Sequence, residues 1–137
     1  MRIMSACLLL AFSCFMSAAQ AEICSPQDTV LRGEVEDLNG KLVDGDYDGL
    51  SSALSAASVE PAPIIELLKA NFPQGFEDCE TLVHRVDDGT VLQSVVAFSN
   101  ENTTLYVYIL SAYYGRRFVV MNYYLNTDHD PVFERIF

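Results

Sequence analysis

Positive charge is scarce in this chain: eight Lys and Arg stand against 19 Asp and Glu, for a net charge of −11 at pH 7. Such a field repels phosphate backbones and anionic lipid surfaces, so nucleic acid is not expected as a partner. Histidine is scarcer still. His84 and His129 are the only two, and neither adjoins a cysteine in sequence, so a catalytic thiol has little choice of base. No stretch after the leader offers the roughly 20 apolar residues of a membrane span. Long linkers, repeats and low-complexity tracts are absent from the sequence as well, so one domain is the simplest organisation, and no cofactor is expected.

What is present begins with a leader. Arg2 supplies a short positive start, Cys7 to Met16 is apolar, and the small residues end in Ala19-Gln20-Ala21, the layout of a secretory signal peptide over 1–21. A lipid-anchored alternative at Cys14 fits less well, because Ala11 and Phe12 hold the places where lipoprotein sites usually carry Leu and a small residue. The expectation is an exported chain, periplasmic or secreted, whose residues 22–137 form a single domain within the common size range. Cleavage would leave two cysteines, Cys24 and Cys79, which in an oxidising compartment most simply pair.

Helical signals come first. Ser25, Pro26 and Asp28 suit a helix start, and Val30, Leu31, Val35, Leu38, Leu42 and Val43 follow helical spacing. Asp44-Gly45 ends that helix and Asp46 caps a second, from Tyr47 to about Ala57, with Leu50, Ala53, Leu54 and Ala57 on one face. Pro61 and Pro63 break the chain before a third helix that carries Ile64, Ile65, Leu67, Leu68 and Phe72 and stops at Pro73-Gln74-Gly75.

From Cys79 the period becomes alternating. Asp88-Gly89 predicts a hairpin turn in which Val86 faces Val91, His84 faces Gln93 and Leu82 faces Val95. After the turn at 100–103 comes TLYVYILSAYYGRRFVVMNYYL, residues 104–125, a second hairpin rich in aromatic and β-branched residues. A turn at Tyr114-Gly115 would place Leu110, Tyr108 and Tyr106 opposite Val119, Met121 and Tyr123 on one side. The other side would carry Ile109, Ser111, Val107 and Leu105 with Val120, Phe118, Asn122 and Tyr124. Both sides are apolar, so each needs cover: one from the helices, the other from a ligand or a second subunit. Helices followed by strands argue for an α+β domain, N-terminal helices packed on a curved antiparallel sheet of about four strands.

The run Val43-Asp44-Gly45-Asp46-Tyr47-Asp48-Gly49-Leu50, followed by a third helix and long antiparallel strands, resembles the NTF2-like (cystatin-like cone) superfamily. The resemblance implies a concave sheet face that holds a pocket closed by helices, and association of two copies through the sheet. It also covers ketosteroid-isomerase-like and SnoaL-like enzymes beside many members without catalysis. The segment from Ser55 to Pro63 is too short for the family's usual hairpin between helices two and three.

Candidate chemistry is sparse. Asp44 to Gly49 matches the opening of a calcium loop, yet its twelfth position is Ser55 rather than a bidentate Glu, so a helix end is the better account. Asp128-His129-Asp130 reads as a polar turn before Pro131, and no metal is expected. Asn102-Thr103-Thr104 fits a glycosylation sequon, an accidental match if the source is bacterial. Acid-base catalysis would fall to His84 with Tyr106, Tyr108 or Tyr123, but the strands carry no carboxylate at an interior position to serve as the general base of a ketosteroid isomerase. The leading expectation is therefore a non-catalytic binding or accessory domain that takes a small-molecule ligand or a protein partner. Its pocket or interface residues would be His84, Tyr106, Tyr108, Met121, Tyr123, Phe118 and Tyr124. An isomerase-like enzyme and a small acidic inhibitor are the alternatives.

Overall fold

The computed structural model describes Cys24 and residues 33–136. The expected leader and the expected helix start at Ser25-Pro26 lie outside the described residues. Helix α1 (Gly33–Asp44) buries Val35, Leu38 and Leu42, and ends where Gly45 turns to φ 67°. The Asp46 side chain then accepts the Gly49 N–H at 2.9 Å and starts α2 (Tyr47–Ala56), whose Leu50 and Leu54 are fully buried. Helix α3 (Ala62–Asn71) follows the prolines, with Ile65 and Leu68 inward.

The chain next makes its tightest approach. Gly75 (φ 76°) sits against the α1–α2 corner so closely that a Cβ there would lie 2.3 Å from the Val43 carbonyl oxygen and 2.6 Å from Gly45 N. Contact at that distance lets Phe76 N donate to Val43 O at 3.0 Å, which ties the entry of the sheet to the end of α1.

Strands β1 (Asp78–Asp87), β2 (Val91–Asn100), β3 (Thr103–Tyr114) and β4 (Arg117–Asn126) form an antiparallel meander in the order β1-β2-β3-β4. One face meets the helices: Val96, Phe98, Leu105, Val107, Ile109 and Val120 are all at most 3% exposed against Leu38, Leu42, Leu50, Leu54 and Leu68. Each such side chain contributes about 1.5–3 kcal/mol by leaving water, and this is the main core. The opposite face has a smaller core of Val95 and Tyr108, closed by Val132 from a short C-terminal helix α4 (Asp130–Phe133). The arrangement is α+β, with helices preceding the curved sheet as the sequence pattern indicates.

Three details of register differ from the sequence pattern. The last hairpin turns at Gly115-Arg116, with Tyr114 opposite Arg117, because glycine takes the first central position at φ 66°, as a type II′ turn requires. Ala112, rather than Leu110, therefore faces Val119. In the first hairpin Asp88 and Gly89 both have positive φ, but Thr90 adds a residue to the loop, so Asp87 faces Val91 and His84 faces Ser94. Each edge strand also carries a bulge, at Leu82 in β1 and at Met121 in β4. A bulge reverses the alternation beyond it. Tyr123 thereby moves to the helix side beside Ile109, and Tyr124 moves to the far side beside Tyr108.

Both outer strands are also blunted by loop carbonyls. Cys24 O accepts from Thr81 N (2.8 Å) and Thr81 Oγ1 (2.6 Å) on β1, while Ala57 O accepts from Val120 N (2.9 Å) on β4. Cys24 is held there by its disulfide to Cys79.

Candidate functional site

The residues singled out by sequence do not share one site. His84, Phe118 and Tyr123 belong to the helix side, Tyr106, Tyr108 and Tyr124 to the far side, and Met121, at its bulge, is 52% exposed. His84 and Tyr123 do fall in one row across the sheet, His84–Ser94–Ile109–Tyr123. Three strand spacings separate them, about 14 Å. That distance does not place a base and a hydroxyl donor around one reacting atom.

Tyr123 is informative in another way. Its hydroxyl is buried and has no hydrogen-bond partner among the described residues. Burial, then the neighbouring Tyr47, pushes its pKa well above the ordinary tyrosine value. Tyr47 is raised as well, by burial, although its hydroxyl donates to the Phe72 carbonyl. Both groups stay protonated in the folded chain at pH values where the unfolded chain ionises, above about 10. Stability is thus fully present below pH 10 and declines as pH rises, by up to about 1.4 kcal/mol per unit for each such tyrosine. Tyr123→Phe is expected to stabilise the protein by about 1 kcal/mol at pH 7, since it removes an unpaired buried hydroxyl, and to flatten the alkaline decline. Tyr47→Phe is expected to cost about 1 kcal/mol through its lost hydrogen bond, so urea titrations of both variants at pH 7 and pH 10.5 separate the two cases.

The more useful concavity was not legible in the strands. The start of α1 lies beside the end of α2, and between them opens a groove of about 500 Å³. Gly33, Ala53, Ala56 and Ala57 leave the space because their side chains are too small to fill it; Leu38 and Phe118 supply apolar walls. Two carboxylates stand on the rim, and both are engaged. Glu34 accepts the Tyr113 hydroxyl, and Asp37 pairs with Lys41 at 2.9 Å. What the groove offers a ligand is mainly apolar contact. Of the seven sequence candidates, only Phe118 lines it. The available signal was the set of small residues Ala53, Ala56 and Ala57 along and just after α2, which reads as ordinary helix packing unless the neighbouring helix stands off.

A second recess of about 440 Å³ lies between α3 and the ends of β3 and β4, lined by Leu67, Phe72, Leu105 and Leu125 with Asn71, Asn126, Thr103 and Thr127. Its amides are already used within the fold. Asn71 Nδ2 donates to Leu67 O at 2.8 Å, and Asn126 donates to the Tyr124 hydroxyl and accepts from Asp128 N.

Polar residues inside the fold form a separate group that the strand pattern concealed. On the far face, Tyr108 donates to Gln93 Oε1 at 3.3 Å, Gln93 Nε2 donates to Asp87 Oδ2 at 3.2 Å, and Arg85 Nε reaches Asp87 Oδ1 at 3.0 Å. This chain crosses β3, β2 and β1 and satisfies a fully buried glutamine. Burial raises the Tyr108 pKa, against a lowering by the Arg135 charge. Asn39 in α1 is also fully buried, and neither polar atom of its amide has a partner among the described residues.

The two remaining motifs are accounted for locally. In the Asp44–Gly49 run, Asp46 is a helix cap and Asp48 pairs with Lys69 at 2.9 Å. Asp128, His129 and Asp130 do not alternate along a strand. They bend into α4, so one ligand-type atom from each lies within 4.8 Å of the others, with all three residues exposed. His129 Nδ1 is 3.0 Å from Asp130 and 3.5 Å from Asp128.

Fold and groove together define a small α+β domain in which three helices cover one face of a four-stranded meander and a C-terminal turn covers part of the other. No helix among the described residues is long and apolar enough to cross a membrane. No protein-family model, no curated protein and no solved structure matches the chain.

Proposed function

We propose that this protein is an exported, non-catalytic binding domain of NTF2-like architecture whose ligand is a small apolar molecule held between α1, α2 and the start of β4. The observation that carries the reading is the groove itself: about 500 Å³, bounded by Leu38, Phe118 and small side chains, with its rim carboxylates already paired. Pockets that bury small ligands have this size and an apolar lining. Export is supported by the leader-like start and by the Cys24–Cys79 disulfide, which suits an oxidising compartment. The NTF2-like reading is supported by the helix-then-sheet order and by the Gly45-Asp46-Tyr47 corner.

The test is a binding screen read by backbone amide shifts, with a panel of small aromatic and aliphatic compounds. Saturable shifts confined to α1, α2 and the first residues of β4 are expected. Ala56→Phe, which fills the groove from an exposed position, is expected to weaken the best compound at least tenfold while leaving the rest of the spectrum unchanged. If no compound saturates, or if binding survives Ala56→Phe, the groove is not the site.

A further inference from the structure

The C-terminal segment is held to the sheet differently from every other element. It packs on the face away from the helices, and among its described residues only Val132 is fully buried. Helix α4 has four residues, too few to persist without the surface beneath it. From Thr127 to Asp130 the connection to β4 is exposed at every position. Yet the contacts are specific. Val132 closes over Val95 and Tyr108, Ile136 follows four residues later, where helical spacing puts a side chain back on the same side, and Arg135 stacks its guanidinium 3.6 Å from the centre of the Tyr124 ring.

We infer that the far face of the sheet is a docking surface for a short apolar peptide segment, and that the chain's own C-terminal segment is its resident, displaceable occupant. The resident occupant specifies the chemistry of a competitor: two aliphatic side chains four residues apart, with an arginine just before the second. The surface suits such a partner, because Tyr106, Tyr108 and Tyr124 offer broad rings with polar tips around an aliphatic centre, the composition of recognition surfaces rather than of solvent-facing strands. Near the segment's foot, the His129 ring lies 6.0 Å from Tyr106 and 6.1 Å from Phe133, which seats the turn over the edge of the same patch. The sheet is therefore apolar on both faces for two different reasons. The helix side is permanent core, and the far side is a site covered by its own ligand.

The test uses the full chain carrying Val132→Asp, which removes the anchor, and a synthetic dye-labelled peptide of residues 127–136. The variant is expected to bind the peptide saturably and at least tenfold more tightly than the unsubstituted chain, whose face is occupied. The same peptide with Val132→Asp is expected not to bind, and near-UV circular dichroism is expected to show the helix-side core intact. Ile136→Asp, at a half-buried position, should give a smaller gain in the same direction. Equal binding to substituted and unsubstituted chains would overturn the inference, as would no binding to a variant with an intact core. Global unfolding of Val132→Asp would also overturn it, by showing the segment to be part of the cooperative core. So would dimerisation of that variant that excludes the peptide, which would assign the face to a second copy.

Discussion

Gly75→Ala is expected to destabilise the fold by at least about 3 kcal/mol, a large share of the stability of a domain this size. Two effects act at that position. At φ 76° a side chain is strained by about 1–2 kcal/mol whatever surrounds it. In addition, the new methyl would stand 2.3 Å from Val43 O and 2.6 Å from Gly45 N, both backbone atoms that cannot swing aside. To admit it, the α1–α2 corner and the entry to β1 must separate, and the Phe76 N–Val43 O hydrogen bond at 3.0 Å is lost, for about 1 kcal/mol more. Gly115→Ala is the control. Gly115 also has positive φ, but a Cβ there would meet nothing within 4 Å, so only the conformational cost remains. Denaturant midpoints of the two variants isolate the steric contribution.

Removal of the Cys24–Cys79 disulfide by Cys24→Ala with Cys79→Ala is expected to cost about 4 kcal/mol, the chain-entropy value for a loop closed across a separation of 55 residues. The loss should exceed that figure slightly. Without the bond, Cys24 O no longer stays on Thr81, and the two hydrogen bonds that cover the β1 edge at that point go with it. Urea unfolding of the unsubstituted protein with and without reductant, beside the double variant, checks this. Equal midpoints would show that the bond constrains nothing that the fold does not already hold.

Much of the architecture was legible because local chemistry and tertiary demand agree. Asp46 caps α2 as its position before Tyr47 suggests, Gly45 ends α1, and Cys24 pairs with Cys79. The face assignments in the hairpins were legible only up to the bulges. Alternation carries no mark of an inserted residue, so Tyr123 and Tyr124, beyond the Met121 bulge, and His84, displaced by the extra loop residue Thr90, each appear on the side opposite to the one they occupy. The groove was hidden for a different reason: it exists because Ala53, Ala56 and Ala57 have little side chain, and a space between helices is a property of their separation rather than of any residue. The C-terminal cover was hidden because Val132 and Ile136 are too few to announce a helix beside Asp128-His129-Asp130, which reads as a turn. Gln93 could have been noticed. A glutamine within the largely apolar strand β2 is a buried polar group that calls for a partner, and the fold supplies Tyr108 and Asp87.

The order β1-β2-β3-β4 also governs how the chain acquires its structure over time. Every strand pairs with its immediate predecessor in sequence, so no pairing has to wait for a distant segment to return, and loop closure costs little at each step. A meander of this kind assembles hairpin by hairpin on the helices made before it. The exception is the far face, whose aromatic surface is complete once β4 is added but whose cover is the next and last piece of the described chain. Whenever that surface is formed but uncovered, any passing segment with the right pair of aliphatic side chains competes with the chain's own residues 127–136.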